Sequence, residues 1–74
     1  MDQLAVALGK QIRQARKVQS LSQDRLALLC GIDRSYMGRI ERGEVNLTVQ
    51  KLYLIAQTLQ RDPRELLPNA DHLN

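Results

Sequence analysis

The 74-residue chain contains one cysteine, one histidine, two prolines and no tryptophan or phenylalanine. A lone thiol, Cys30, excludes an internal disulfide. With His72 as the only imidazole there is no cluster of soft ligands for a metal, and no cofactor is expected. Two tyrosines are too few for a platform that stacks the bases of a single strand. No apolar run is long enough to span a bilayer, so no membrane partner is expected. Met1 to Leu8 lack the basic start and long apolar stretch of a secretion signal. The reading is therefore a protein of the reducing cytoplasm. Catalysis has no foothold either. The chain holds no Ser-His-Asp or Cys-His set, no paired carboxylates with a pocket and no phosphate-cradling glycine loop, and an enzyme is rejected.

Length allows one domain, and one this short buries only about 60% of its unfolded surface. Self-association is a common way for such chains to gain stability. The net charge of +3 is modest but unevenly placed. Between Lys10 and Arg42 stand eight cations and three anions, whereas the chain from Gly43 onward carries three cations and four anions. A positive segment on a near-neutral remainder suits a polyanion on one face.

No stretch alternates with period two, and helical spacing recurs throughout, so the chain is read as all-α. Leu4, Leu8, Ile12 and Ala15 place a first helix over Gln3 to Gln19, with Asp2 as its N-cap. Ser22 caps a second, which carries Leu26, Ala27, Leu29 and Cys30. Arg25 stands where a full capping box wants Glu or Gln, and Gly31 ends the helix. Asp33 caps a third over Arg34 to Arg42, with Tyr36, Met37 and Ile40 facing inward and Gly43 as its stop. Thr48 opens a fourth with a broad apolar stripe of Val49, Leu52, Tyr53, Ile55, Ala56 and Leu59. Asp62-Pro63 opens a short fifth helix through Leu67, which Pro68 halts. Residues 1–68 read as one domain and 69–74 as a frayed C-terminal tail.

The informative stretch is Gln23 to Arg42. Two short helices flank a turn of about three residues at Gly31, with Leu26, Cys30, Ile32, Met37 and Ile40 buried between them. Ala27 is small where the helices approach. This is the pattern of a helix-turn-helix. Its second helix would present Arg34, Ser35, Gly38, Arg39 and Arg42 outward, and residues near such an N-terminus reach base edges in the major groove. Arginine donates bidentately to guanine, worth roughly 1–3 kcal/mol of discrimination. Gly38 costs helix propensity, and closeness of the backbone to DNA would explain it.

From Leu8 to Leu67 the chain resembles the phage-repressor and Cro-type helix-turn-helix domains, the XRE family, with a five-helix lambda-repressor-like fold. The resemblance is carried by Arg13-Gln14-Ala15-Arg16, Leu21-Ser22-Gln23, Leu26-Ala27, Gly31-Ile32, Ile40-Glu41-Arg42-Gly43, Leu52 with Ile55-Ala56, and Asp62-Pro63-Arg64-Glu65-Leu66-Leu67. More narrowly, Asp33-Arg34-Ser35-Tyr36-Met37 with Asn46-Leu47-Thr48 resembles the controller proteins of restriction–modification systems. Those read Asp-Arg-Thr-Tyr-Ile-Ser-Gly at this place; here Ser35 replaces Thr, and Gly38-Arg39 replaces Ser-Gly, on the face that reads DNA.

The resemblance implies double-stranded DNA as partner and a homodimer on a pseudo-palindromic operator, regulating transcription through protein concentration. After Leu67 no sensing domain is expected. A controller would activate its own operon with RNA polymerase at moderate levels and repress it at high levels. The resemblance also implies residue roles. Arg34, Ser35, Tyr36 and Arg39 would contact bases, Tyr36 reaching the sugar–phosphate edge or a flexible base step. Gln23, Arg42, Asn46, Thr48 and Lys51 would grip phosphate. Arg16 and Glu41 would form a structural ion pair, and Tyr53, Leu66 and Leu67 would lie in the dimer interface.

Each role has a plainer alternative. Arg16 and Glu41 read from spacing alone as surface charges. Tyr36 divides between packing and DNA contact, and Tyr53 is core or interface. Cys30 reads as inert packing. Lys10, Lys17 and Arg25 are solvated faces, and His72 carries no assigned role. Two rival functions use the same fold: an antitoxin that also binds a toxin partner, and an interaction module that has lost DNA binding.

Overall fold

A computed structural model describes residues Asp2 to Leu73, the side chains of His72 and Leu73 excepted. Four α-helices follow one another: α1 (Gln3–Val18), α2 (Gln23–Cys30), α3 (Arg34–Glu41) and α4 (Val49–Thr58). Two 3-10 turns, Pro63–Leu66 and Ala70–Leu73, come after them, and no strand occurs among the described residues. No helix of this span is long and apolar enough to cross a membrane.

Every helix begins at a side-chain oxygen that satisfies an orphan backbone donor. Leu4 N–H donates to Asp2 at 2.8 Å, and Arg25 N–H to Ser22 at 3.0 Å. Ser35 and Tyr36 N–H both donate to Asp33, and Lys51 N–H to Thr48 at 3.1 Å. Each such cap is worth about 1 kcal/mol against alanine. The half-built cap at Ser22 works as one bond, since Arg25 supplies its N–H but no returning carboxylate.

All four helices also end alike. A residue in the left-handed region follows each last turn: Ser20, Gly31, Gly43 and Gln60, with φ of 57°, 66°, 75° and 57°. The next N–H then reaches back to a carbonyl of that turn: Leu21 to Arg16, Ile32 to Ala27, Glu44 to Arg39 and Arg61 to Ala56. Two of the four stops are not glycine, which is why the sequence announces only Gly31 and Gly43.

The core gathers Leu8, Ile12 and Ala15 of α1, Leu26, Ala27 and Cys30 of α2, Met37 and Ile40 of α3, Leu52, Ile55 and Ala56 of α4, then Leu59 and Leu66. Cys30 is buried, and its thiol donates to Thr58 Oγ1 at 3.4 Å, tying α2 to α4. Gly9, which the sequence reading passed over, lets the backbones of α1 and α3 approach closely. A Cβ there would lie 2.6 Å from the carbonyl oxygens of both Ile40 and Glu41.

Three expectations need correction. The fifth helix is a single 3-10 turn, closed by Glu65 N–H to Asp62 O at 2.8 Å. Pro68 drives Leu67 into extended backbone (φ −94°, ψ 139°), so too few residues remain between Pro63 and Leu67 for an α-helix. The frayed tail instead forms the turn Ala70–Leu73; Asn74 lies outside the described residues. The apolar stripe of α4 is narrower than expected, because Val49 and Tyr53 are exposed, at 69% and 53%.

Candidate nucleic-acid interface

The turn Gly31–Asp33 sets α3 across α2, with Leu26, Met37 and Ile40 fully buried and Ile32 half-buried between them. Burial on that side leaves Arg34, Ser35, Arg39 and Arg42 exposed on the other. A helix of eight residues thus has an apolar face that fixes its position and a basic face free for a ligand.

The exposed arginines are held loosely by neighbouring acids. Arg34 Nη1 stands 3.1 Å from Asp24 Oδ2 on α2. Arg42 Nε donates to Glu44, whose other oxygen is 3.8 Å from Arg39 Nε. Hydrogen bonding to Arg42 holds the Glu44 carboxyl below the usual carboxylate range and raises the arginine in return. Neither acid was marked in the sequence; the Arg39-x-x-Arg42-x-Glu44 spacing across a glycine stop was the available signal.

Gln23 and Tyr36 are engaged within the chain. Gln23 Nε2 donates to Glu41 Oε1 at 3.2 Å, so its amide braces the ion pair between α1 and α3. Its carbonyl oxygen faces Gly38, as does Arg42 Nη1. Tyr36 is half-buried against the core, with Lys51 Nζ 4.6 Å above its ring. That cation–π contact joins α3 to the first turn of α4. Thr48 Oγ1 is spent capping α4, although its hydroxyl hydrogen remains available for donation. Asn46 is exposed in the loop before it. The open N-terminus of α4 adds backbone donors beside Lys51.

Arg16 and Glu41 lie beneath this surface as a two-bond pair, Nε to Oε2 at 2.7 Å and Nη2 to Oε1 at 3.0 Å. Arg16 Nη1 also donates to the Leu21 carbonyl at 2.9 Å. Of the residues assigned to a dimer interface, Tyr53 and Leu67 are exposed. Leu66 is not: at 1% exposure it belongs to its own chain's core and is withdrawn from that surface. Leu4, Val49 and Leu67 instead line one open apolar groove of about 430 Å³ with Leu47 and Leu52.

Two short helices locked across a glycine turn, the second offering exposed arginines, define a DNA-binding transcription regulator of the helix-turn-helix class. The family model described as "Helix-turn-helix" matches residues 12–66, and the chain belongs to that family. It is 37% identical to the control protein C.SmaI of Serratia marcescens, over 81% of this chain and 71% of that one. It is 34% identical to the control protein C.BamHI of Bacillus amyloliquefaciens, over 86% and 80%. Among solved structures, the restriction-modification controller protein C.AhdI of Aeromonas hydrophila superposes with a TM-score of 0.81 at 41% identity, over 85% of this chain and 96% of that one.

Proposed function

We propose that the chain is a controller of a restriction–modification operon, acting in the cytoplasm as a homodimer on a pseudo-palindromic operator. The observation that carries this reading is the exposed set Arg34, Ser35 and Arg39 on a helix whose opposite face is locked in the core. Likeness to three control proteins supports the choice of operon. Arg34 and Arg39 read guanines, Ser35 and Tyr36 complete the base contacts, and Gln23, Arg42, Asn46, Thr48 and Lys51 hold phosphate. Gln23 and Thr48 each keep one role inside the fold and one toward the backbone of DNA: the Gln23 amide nitrogen holds Glu41 and has a second N–H to donate, and Thr48 Oγ1 caps α4 with its hydroxyl hydrogen free to donate. Two-fold symmetry spaces the half-sites by about one helical turn, roughly 34–36 Å. Val49 and Tyr53, one turn apart on α4, form the pairing surface with Leu67. No chemistry is assigned to the site, and contact with RNA polymerase accompanies the activating phase.

Selection from randomised duplexes at two salt concentrations, with wild type and Arg34→Ala, tests the reading. A palindrome whose binding weakens with salt, and which loses one base preference in Arg34→Ala, supports it. Enrichment of no sequence removes operator recognition and turns attention to a protein partner such as a toxin.

A further inference from the structure

Glu44 occupies a place that helix electrostatics disfavours for an acid. It is the second residue past the last turn of α3, beyond Gly43, and its N–H donates to the Arg39 carbonyl at 2.9 Å. Its carboxylate therefore lies by the negative end of the helix dipole. There it accepts from Arg42 Nε and stands 3.8 Å from Arg39 Nε, so one acid serves two arginines of the DNA-facing surface. All three side chains are solvent-accessible, at 38% for Glu44, 52% for Arg39 and 60% for Arg42. A pair this exposed adds little to folding and is readily exchanged for another anion.

Gly38 completes the arrangement. A Cβ at that position would lie 3.1 Å from Arg42 Nη1 and 3.4 Å from Gln23 Oε1. The missing methyl gives Arg42 room to fold back along α3, with Nη1 over Gly38 and Nε on Glu44. Gln23 commits its amide nitrogen to Glu41, and its carbonyl oxygen lies on the other side of the same space above Gly38.

We propose that Glu44 is a specificity-determining residue, an internal stand-in for phosphate that occupies Arg42 and Arg39 in the free protein. Any duplex must displace it from at least one of them. On unrelated DNA the arginines only exchange one anion for another, with the carboxylate left close to a phosphate. On the operator Arg39 turns into the groove to its base, so Glu44 keeps its hold on Arg42 and less of the pairing is given up than on unrelated DNA. The acid thus weakens non-specific binding more than specific binding. This inference rests on the assignment of the outer face of α3 to DNA.

The test compares the full chain with Glu44→Gln and Gly38→Ala, on the duplex recovered by selection and on one of unrelated sequence, across a salt series. In Glu44→Gln the affinity for unrelated duplex rises about three- to tenfold at low salt, and its log–log salt slope steepens by about one contact. Affinity for the selected duplex rises less, so the ratio between the two falls. Gly38→Ala, which crowds Arg42 Nη1, shifts both quantities in the same direction by less. Thermal melting stays at or slightly above that of wild type in Glu44→Gln, because the cap is made by backbone. If wild type binds its site with normal salt dependence and Glu44→Gln leaves both affinities and the slope unchanged, the stand-in role is overturned alone. If wild type binds no duplex at all, the DNA assignment falls and this inference with it.

Discussion

Arg16 and Glu41, 25 positions apart in sequence, meet in a buried fork that spans α1 and α3, with side chains 11% and 3% exposed. Every polar atom of the pair that is buried has a partner, including the Leu21 carbonyl and the Gln23 amide. Removing one partner strands the other. Arg16→Ala or Glu41→Ala is expected to cost about 3–5 kcal/mol, whereas Arg16→Met with Glu41→Leu restores most of that loss. Urea denaturation of the three variants measures it, and additive single losses in the double variant would contradict the pairing.

Gly9 and Gly38 both sit inside helices yet tolerate alanine differently. At Gly9 the new methyl meets backbone oxygens at 2.6 Å, which cannot yield without parting α1 from α3. A loss of about 1–3 kcal/mol is expected. At Gly38 the methyl meets the far end of a flexible arginine, so the helix gains about 0.5–1 kcal/mol from the lower entropy of the unfolded chain. Opposite shifts in melting temperature check the contrast.

Ser20 and Gln60 hold left-handed backbone that glycine adopts without strain. Such a conformation costs roughly 1–2 kcal/mol for a residue with a Cβ, partly offset by the greater entropy glycine loses. Gln60→Gly, a fully surface change, is expected to raise the melting temperature by several degrees, about 4–8 °C per kcal/mol in a domain of this size. An unchanged or lower melting temperature contradicts the strain.

Leu66 and Tyr53 separate folding from pairing. Leu66→Ala opens a hole in the core and is expected to cost about 2–5 kcal/mol of stability. If the chain pairs through α4 as proposed, Tyr53→Glu is expected to leave the monomer intact and to weaken self-association by tenfold or more, about 1.4 kcal/mol. Sedimentation equilibrium on both variants tells the two effects apart.

Asp62 gives a pH dependence whose sign is fixed. Hydrogen bonds from the side chain and then the backbone N–H of Arg64 hold its carboxyl below the usual range. The folded chain therefore binds that proton less readily than the unfolded chain. Its contribution is complete above the unfolded value, about 3.9, and is lost as pH falls through the lower folded one. NMR titration of Leu66 is expected to show the Pro63–Leu66 turn loosening in that acid window in wild type and not in Asp62→Asn.

The helix starts were legible because Asp2, Ser22, Asp33 and Thr48 advertise their caps chemically. The stops at Ser20 and Gln60 were not, since neither residue type favours the left-handed backbone that it holds there. Periodicity located the core of α4 but overstated it, as Val49 and Tyr53 share its spacing while facing outward. Arg34, Ser35 and Arg39 were readable as an outer face; their acidic partners Asp24 and Glu44 depend on how α2, α3 and the following loop come together. Gly9 shows the same limit: a helix-interior glycine looks like a defect until the helix that presses on it is in place.

Gly43 carries a consequence for the reading helix. Its missing Cβ would collide with Val6 of α1 at 2.6 Å, and Ile40 and Glu41 are likewise walled in, so the last turn of α3 is anchored to the first helix of the chain. Arg34, Ser35 and Arg39 touch none of that masonry. Under the proposed assignment, substitutions at these surface positions change what the helix meets without disturbing how it is held. What the helix meets and how the helix is held are separable properties of this chain.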